Sequence, residues 1–112
     1  LRKVEAIVRT HKLDDVKLAL VNAGIIGMTI SELKSFGSRK NATTRYRGQE
    51  HKIDFVSKIK IEVVIEDSQV DLVVREISLA GSTGEIGDGK IFVYPIDEII
   101  RIRTSETGLS AI

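Results

Sequence analysis

The densest chemistry in this 112-residue chain lies at residues 81–90, Gly81-Ser82-Thr83-Gly84-Glu85-Ile86-Gly87-Asp88-Gly89-Lys90, which run directly into the strand-like Ile91-Phe92-Val93-Tyr94. Glycine reaches backbone conformations that residues with a Cβ avoid, so its N–H groups can approach an anion closely, and a following lysine adds a point charge. That combination suits a phosphate cradle. Gly84-x4-Gly89-Lys90 also satisfies part of the P-loop spacing, but Ile91 stands where the Mg²⁺-holding Ser or Thr belongs, and a strand follows in place of a helix. From this segment alone, a glycine-rich hairpin connection explains the residues equally well.

Two other segments carry charge in a pattern. Ile99-Ile100-Arg101-Ile102-Arg103 alternates apolar and basic residues, which predicts an edge strand with paired guanidinium groups on one side and apolar groups packed inward on the other. Residues 37–54, from Gly37 to Asp54, are almost devoid of apolar side chains. A stretch of that length without its own core is predicted to be a functional loop, with Arg45-Tyr46-Arg47 as a recognition tip. The two histidines, His11 and His51, lie outside the glycine loop.

The elements that must position these groups come from an internal repeat. Residues 4–27 align without a gap to residues 61–84. Each copy opens with a strand-like run, Val4-Glu5-Ala6-Ile7-Val8 or Ile61-Glu62-Val63-Val64-Ile65, and continues into helical apolar spacing. Leu13, Val16, Leu20 and Ala23 form one stripe, and Val70, Val73, Val74, Ile77 and Ala80 the other. Asp67 or Ser68 is the expected N-cap of the second helix, while Gly24 and Gly81 are placed for left-handed C-terminal caps. A further strand completes each copy, Met28 to Phe36 in the first and Lys90 to Tyr94 in the second. Two such βαβ units predict an α+β, ferredoxin-like fold in a single domain over 1–112, with the glycine loop at 81–90 and a C-terminal strand and tail over 95–112. Two helices cover one face of a four-stranded sheet. Both strand runs carry apolar residues on both faces, so the open face is expected to be covered by further copies of the chain.

Composition narrows the setting. Seventeen Lys and Arg against sixteen Asp and Glu leave a net charge of +1, which argues against general nucleic-acid binding, so an anion site must be local. The absence of cysteine excludes a disulfide framework and a thiolate zinc site. No apolar run approaches the roughly 18 to 20 residues of a membrane span, which predicts a soluble chain, and a start at Leu1 leaves room for a removed leading segment.

Taken together, the doubled βαβ, the long polar loop, Thr83-Gly84-Glu85-Ile86-Gly87-Asp88-Gly89-Lys90-Ile91-Phe92-Val93 and Arg101-Ile102-Arg103-Thr104 resemble the PII signal-transduction family across essentially the whole chain. Lys12-Leu13-Asp14-Asp15-Val16, Gly27-Met28-Thr29 and Tyr46-Arg47-Gly48 match as well, with a cyanobacterial or plastid flavour. The resemblance implies a non-enzymatic homotrimer that regulates nitrogen and carbon metabolism, binds ATP or ADP in clefts between subunits, and senses 2-oxoglutarate in the ATP-bound state with Mg²⁺. By position it implies a phosphate cradle of Gly87, Asp88, Gly89 and Lys90, joined by Arg101 and Arg103 of a neighbouring subunit. Ile7, Thr29, Glu62 and Val64 match positions lining the adenine and ribose, Gly37 and Ser38 lie at the loop base near the phosphates, and Lys58 matches the lysine that pairs with 2-oxoglutarate. Thr43, Arg45, Tyr46, Arg47, Gln49, Glu50 and Glu85 are the implied contacts with target proteins. In the family these targets include N-acetylglutamate kinase, acetyl-CoA carboxylase components, ammonium channels and transcriptional co-regulators. The implied location is the cytoplasm, or the plastid stroma in a eukaryote.

The departures from the family pattern gather at the loop base. Ser35-Phe36-Gly37-Ser38-Arg39-Lys40-Asn41 stands where the family has Gly-Phe-Gly-Arg-Gln-Lys-Gly, so Arg39 replaces the Gln that helps to coordinate Mg²⁺ beside 2-oxoglutarate. A guanidinium has no acceptor and carries positive charge, so position 39 cannot ligate a hard cation, and Arg39 is left to contact phosphate or the keto acid directly. Ser38 and Ser82 each replace a basic residue. His51 and Gln49 occupy the positions of the uridylylated tyrosine and phosphorylated serine of other members, and neither supports that chemistry. Two alternatives remain at this stage. One is a paralogue that has lost 2-oxoglutarate sensing; the other is a phosphoryl-transfer or acylphosphate-hydrolysing enzyme on the same fold, which lacks a histidine in the glycine loop.

Overall fold

The computed structural model describes residues 1–39 and 52–112, with side chains described over 1–36 and 55–112. Alternation of apolar and polar residues produces β1 (Arg2–Arg9), in which Val4, Ala6 and Val8 are buried while the residues between them are half-exposed. A 3₁₀ turn at Thr10–Lys12 leads into α1 (Leu13–Asn22), whose Val16 and Leu20 face inward. The chain then forms β2 (Thr29–Arg39), β3 (Lys52–Ile65), a second 3₁₀ turn (Asp67–Gln69), α2 (Val70–Gly81) and β4 (Gly89–Pro95). All ladders are antiparallel in the order β2-β3-β1-β4, which is the ferredoxin-like α+β arrangement read from the repeat.

The core lies between one sheet face and the two helices. Val4, Ala6, Val8, Ile59, Ile61, Val63 and Ile65 from the sheet meet Val16, Leu20, Val73 and Ile77 from α1 and α2. Among the described residues no polar or charged side chain is buried, so every titratable group is available to a surface site.

The helix ends divide the expected caps. Gly24 takes φ +90°, its N–H donates to the Val21 carbonyl at 2.9 Å, and the Ile25 N–H donates to the Leu20 carbonyl at 2.9 Å. With Ile25 and Leu20 both buried, this is a complete Schellman closure. Gly81 is instead the last residue of α2, outside the left-handed region. It is buried where a Cβ would lie 3.4 Å from Val8 Cγ1 and 3.6 Å from Val16 Cγ2, so it serves close packing. The second helix is not capped by Asp67 or Ser68. Gln69 Oε1 accepts the Glu66 N–H at 3.0 Å, and Asp67 is drawn off to the Leu1 ammonium at 2.8 Å and to Arg2 Nε at 3.3 Å.

Both ends of the stretch read as one loop over 37–54 belong to strands. Gly37 pairs with Asp54, Ser38 with Ile53 and Arg39 with Lys52. Ladder hydrogen bonds need no apolar core, and the preceding Phe36–Phe55 cross-strand pair, with ring centroids 5.2 Å apart, holds the register.

The predicted C-terminal edge strand does not form. After Arg101 the chain folds back: the Arg101 N–H donates to the Glu106 carbonyl at 2.9 Å and the Ser105 N–H to the Arg101 carbonyl at 2.8 Å, leaving a single Ile100–Thr107 bridge. Ile102 therefore projects into solvent, 97 % exposed, in place of packing inward.

Candidate anion site at the glycine loop

The loop between α2 and β4 is shaped by its glycines and by one carboxylate. Gly84, Gly87 and Gly89 all have positive φ, at +85°, +103° and +114°. Gly89 is the tightest of these positions, because a Cβ there would run into the carbonyl oxygen of Ile7. Asp88 Oδ2 accepts the Thr83 N–H at 2.8 Å and the Gly84 N–H at 3.0 Å, and Oδ1 accepts the Thr83 hydroxyl at 2.5 Å and Arg9 Nε at 3.0 Å. The Thr83 hydroxyl, then the Thr83 amide, hold the Asp88 carboxyl well below the usual carboxylate range; lost hydration opposes them, and Arg9 and the Gly84 amide add lesser contributions in the lowering direction.

Two cations fix the other side of the loop. Arg9 Nη2 donates to the Ile86 carbonyl at 2.9 Å, and Lys58 Nζ donates to the Gly87 carbonyl at 2.5 Å. Burial lowers the Lys58 pKa first, and the positive charge of Arg9 lowers it further, while Asp88 partly offsets both. In a trans peptide the N–H points opposite to the C=O. Holding the Ile86 and Gly87 carbonyls therefore turns the Gly87 and Asp88 N–H groups the other way, and neither has an acceptor among the described residues. Successive outward N–H groups make an anion-binding concavity. Lys90 follows at the start of β4, opposite Ile7, and the loop borders an open depression of about 580 Å³ that Ile7, Ser35, Lys58, Glu85, Lys90 and Phe92 also line.

The residues singled out from the sequence fall into groups. Ile7, Lys58, Glu85, Gly87, Asp88, Gly89 and Lys90 come together around this depression. The Asp88 carboxylate is spent on Thr83, Gly84 and Arg9, so what it offers a ligand is its backbone N–H. Gly37, Ser38 and Arg39 continue β2 beyond Ser35, with side chains outside the described set. Thr29 and Glu62 face each other across β2 and β3, with Val64 two residues on, about 13 to 20 Å along the strand from Lys58. Glu62 is held by Lys3 at 2.6 Å, which lowers its pKa.

Arg101 donates from Nη1 to Glu106 at 3.2 Å and from Nη2 to the Ile112 carbonyl at 3.0 Å, while Arg103 is exposed in the adjoining turn. Among the described residues, no hydrogen bond or ion pair joins either arginine to the glycine loop of the same chain. Thr43, Arg45, Tyr46, Arg47, Gln49 and Glu50 lie outside the described residues.

Arg9 and Thr83 shape this candidate site through their hydrogen bonds to the loop, and neither is among the site residues read from the sequence. Arg9 stands directly opposite Lys58 in the β1–β3 register, a juxtaposition of like charges that would destabilise the ladder without acceptors nearby. Only the register exposes that pairing.

Comparison with known proteins supplies a second line of evidence. The family described as nitrogen regulatory protein P-II matches residues 1–106. Over 112 residues, covering 100 % of both chains, the sequence is 56 % identical to the nitrogen regulatory protein P-II of Microchaete diplosiphon and equally to that of Synechocystis sp.. It is 53 % identical, with the same full coverage, to the protein of that name from Azospirillum brasilense.

Proposed function

Because this chain belongs to the nitrogen regulatory protein P-II family, a family of signal-transduction regulators, we propose that it is a homotrimer whose glycine loop receives the phosphates of ATP or ADP and thereby reports nucleotide status to target proteins. The observation that carries this reading is the pair of outward Gly87 and Asp88 N–H groups beside Lys90. These residues fit a polyphosphate, since backbone donors and a lysine complement its charge without requiring deep burial.

The trimer supplies the rest of the site in this reading. Arg101 and Arg103 of one subunit approach the loop of the next, and Thr29, Glu62 and Val64 serve the base and sugar. The open sheet face supports it: Ile7, Val64 and Phe92 lie there among internally matched polar groups, Lys3 with Glu62 and Tyr94 with Glu5. A charge that already has its partner costs less to cover than a free one.

Signal transfer follows the β2–β3 arm. Ser35 borders the depression and β2 continues from it to Arg39, so nucleotide occupancy at one end biases the conformations of residues 40–51 at the other. Those residues, with Glu85, then select among target proteins of nitrogen and carbon metabolism.

Position 39 favours a second, narrower version of the same function. Arg39 offers no acceptor to Mg²⁺, so the residues present do not fit a metal-bridged keto-acid site at that position, and nucleotide occupancy alone drives the response. Calorimetry with ATP, ADP, Mg²⁺ and 2-oxoglutarate added in turn, alongside light scattering, tests the proposal. ATP and ADP competing for one site per subunit of a trimer is the expected result, and a monomer without nucleotide affinity would sink it.

A further inference from the structure

Arg9 is the last residue of β1, three-quarters buried, and meets the glycine loop at two acceptors separated in sequence. Nε holds the Asp88 carboxylate at 3.0 Å and Nη2 holds the Ile86 carbonyl at 2.9 Å, so the guanidinium fork spans residues 86 to 88. Gly87 lies beneath it, and a Cβ there would come within 3.1 Å of Nη2, so the bare glycine makes room for the fork. The same Asp88 carboxylate gathers the Thr83 and Gly84 amides on the far side of the loop. One side chain thus ties the exit of α2, the loop apex and the end of β1 together.

We propose that Arg9 is the positioning residue of the anion site: by holding Asp88 and the Ile86 carbonyl it sets the peptide orientation that turns the loop N–H groups toward a phosphate. This rests on the nucleotide reading above. Arg9 acts through the loop and does not itself touch the ligand. The fork matters because the two acceptors are held from two rigidly spaced nitrogens, Nε and Nη2, whereas the three donors of a lysine all leave one nitrogen at the end of a flexible stem.

The test compares the full chain with Arg9→Lys and Arg9→Met. Calorimetry with ATP and with inorganic tripolyphosphate reads the site. Hydrogen exchange at the Thr83 and Gly84 amides, measured without ligand, reads the loop, and thermal melts monitor folding. Both variants are expected to lose at least about tenfold in affinity for either anion, with faster exchange at both amides and little change in melting temperature. Arg9→Lys keeps the charge and removes only the fork, so wild-type affinity in that variant would overturn the proposal. If the wild-type chain binds neither ATP nor tripolyphosphate, the nucleotide reading fails by itself. Exchange then decides the positioning role: faster exchange in both variants sustains it, and unchanged protection refutes it.

Discussion

Gly89 and Ile7 meet across β4 and β1 so closely that a Cβ on the glycine would overlap the Ile7 carbonyl oxygen, and Gly89 has φ +114° besides. Steric room and backbone conformation both exclude any other residue. Gly89→Ala is expected to cost about 2 to 4 kcal/mol in denaturant unfolding, since backbone must move to admit the methyl. Gly84, with φ +85° but open space around it, is the control. Its alanine variant should lose only the left-handed penalty of about 1 to 2 kcal/mol. Equal losses at the two positions would remove the contact with Ile7 from the explanation.

Asp88 gives the loop a pH signature. Its pKa is depressed in the folded chain, so the folded state binds fewer protons there than the unfolded state. The stabilisation is present in full above the unfolded value near pH 4 and is lost as pH falls through the folded one. Asp88→Asn should therefore be less stable than wild type near neutrality, and the gap in melting temperature should narrow progressively as pH falls below about 5, without closing fully by about pH 2. Glu62 and Asp67 are depressed in the same direction but are present in both proteins, so the difference isolates Asp88. A gap independent of pH would mean that the carboxylate's charge contributes nothing to the loop.

Lys90 and Arg103 lie on separate segments and meet one nucleotide only in the proposed trimer. Lys90→Ala and Arg103→Ala should each weaken ATP binding by about 1 to 3 kcal/mol, the range for losing a charge-assisted contact. Loss from Lys90→Ala alone would confine the site to one subunit, and unchanged affinity in both would return the loop to a purely structural role.

Deletion of residues 43 to 51 is expected to abolish target binding while leaving nucleotide affinity and assembly intact. This segment adds almost no apolar residues, so it has little to contribute to a hydrophobic core. A large fall in melting temperature after the deletion would contradict that separation.

Arg39 sets this sequence against the metal-bridged arrangement implied by its family. With ATP and Mg²⁺ present, 2-oxoglutarate should bind weakly, and Arg39→Gln should strengthen it at least about tenfold, or about 1.4 kcal/mol. Direct contact between Arg39 and the keto acid would appear as wild-type binding with little Mg²⁺ dependence, which Arg39→Gln would restore. Tight, strictly Mg²⁺-dependent binding that the substitution leaves unaltered would falsify a role for this position.

By itself the sequence determined the architecture and the glycine-rich character of the loop that forms the candidate site. The repeat of 4–27 in 61–84 carries strand alternation and helical spacing, local patterns that burial of Val4, Ala6, Val8, Val16, Leu20, Val73 and Ile77 simply realises. The glycines of 81–90 could be read for the same reason, because a requirement for positive φ is met residue by residue. Only the tertiary structure decided what depends on register and on competition between partners. Arg9 gains its place from lying opposite Lys58 on β3, 49 positions away in the chain, with the loop carbonyls arriving between them. Asp67 leaves its expected cap for the Leu1 ammonium, Gly81 is chosen by the proximity of Val8 and Val16, and Arg101 turns the alternating tail back on Glu106 instead of into a strand. In each case a local preference worth about 1 kcal/mol is outweighed by contacts between segments distant in sequence, which periodicity cannot encode.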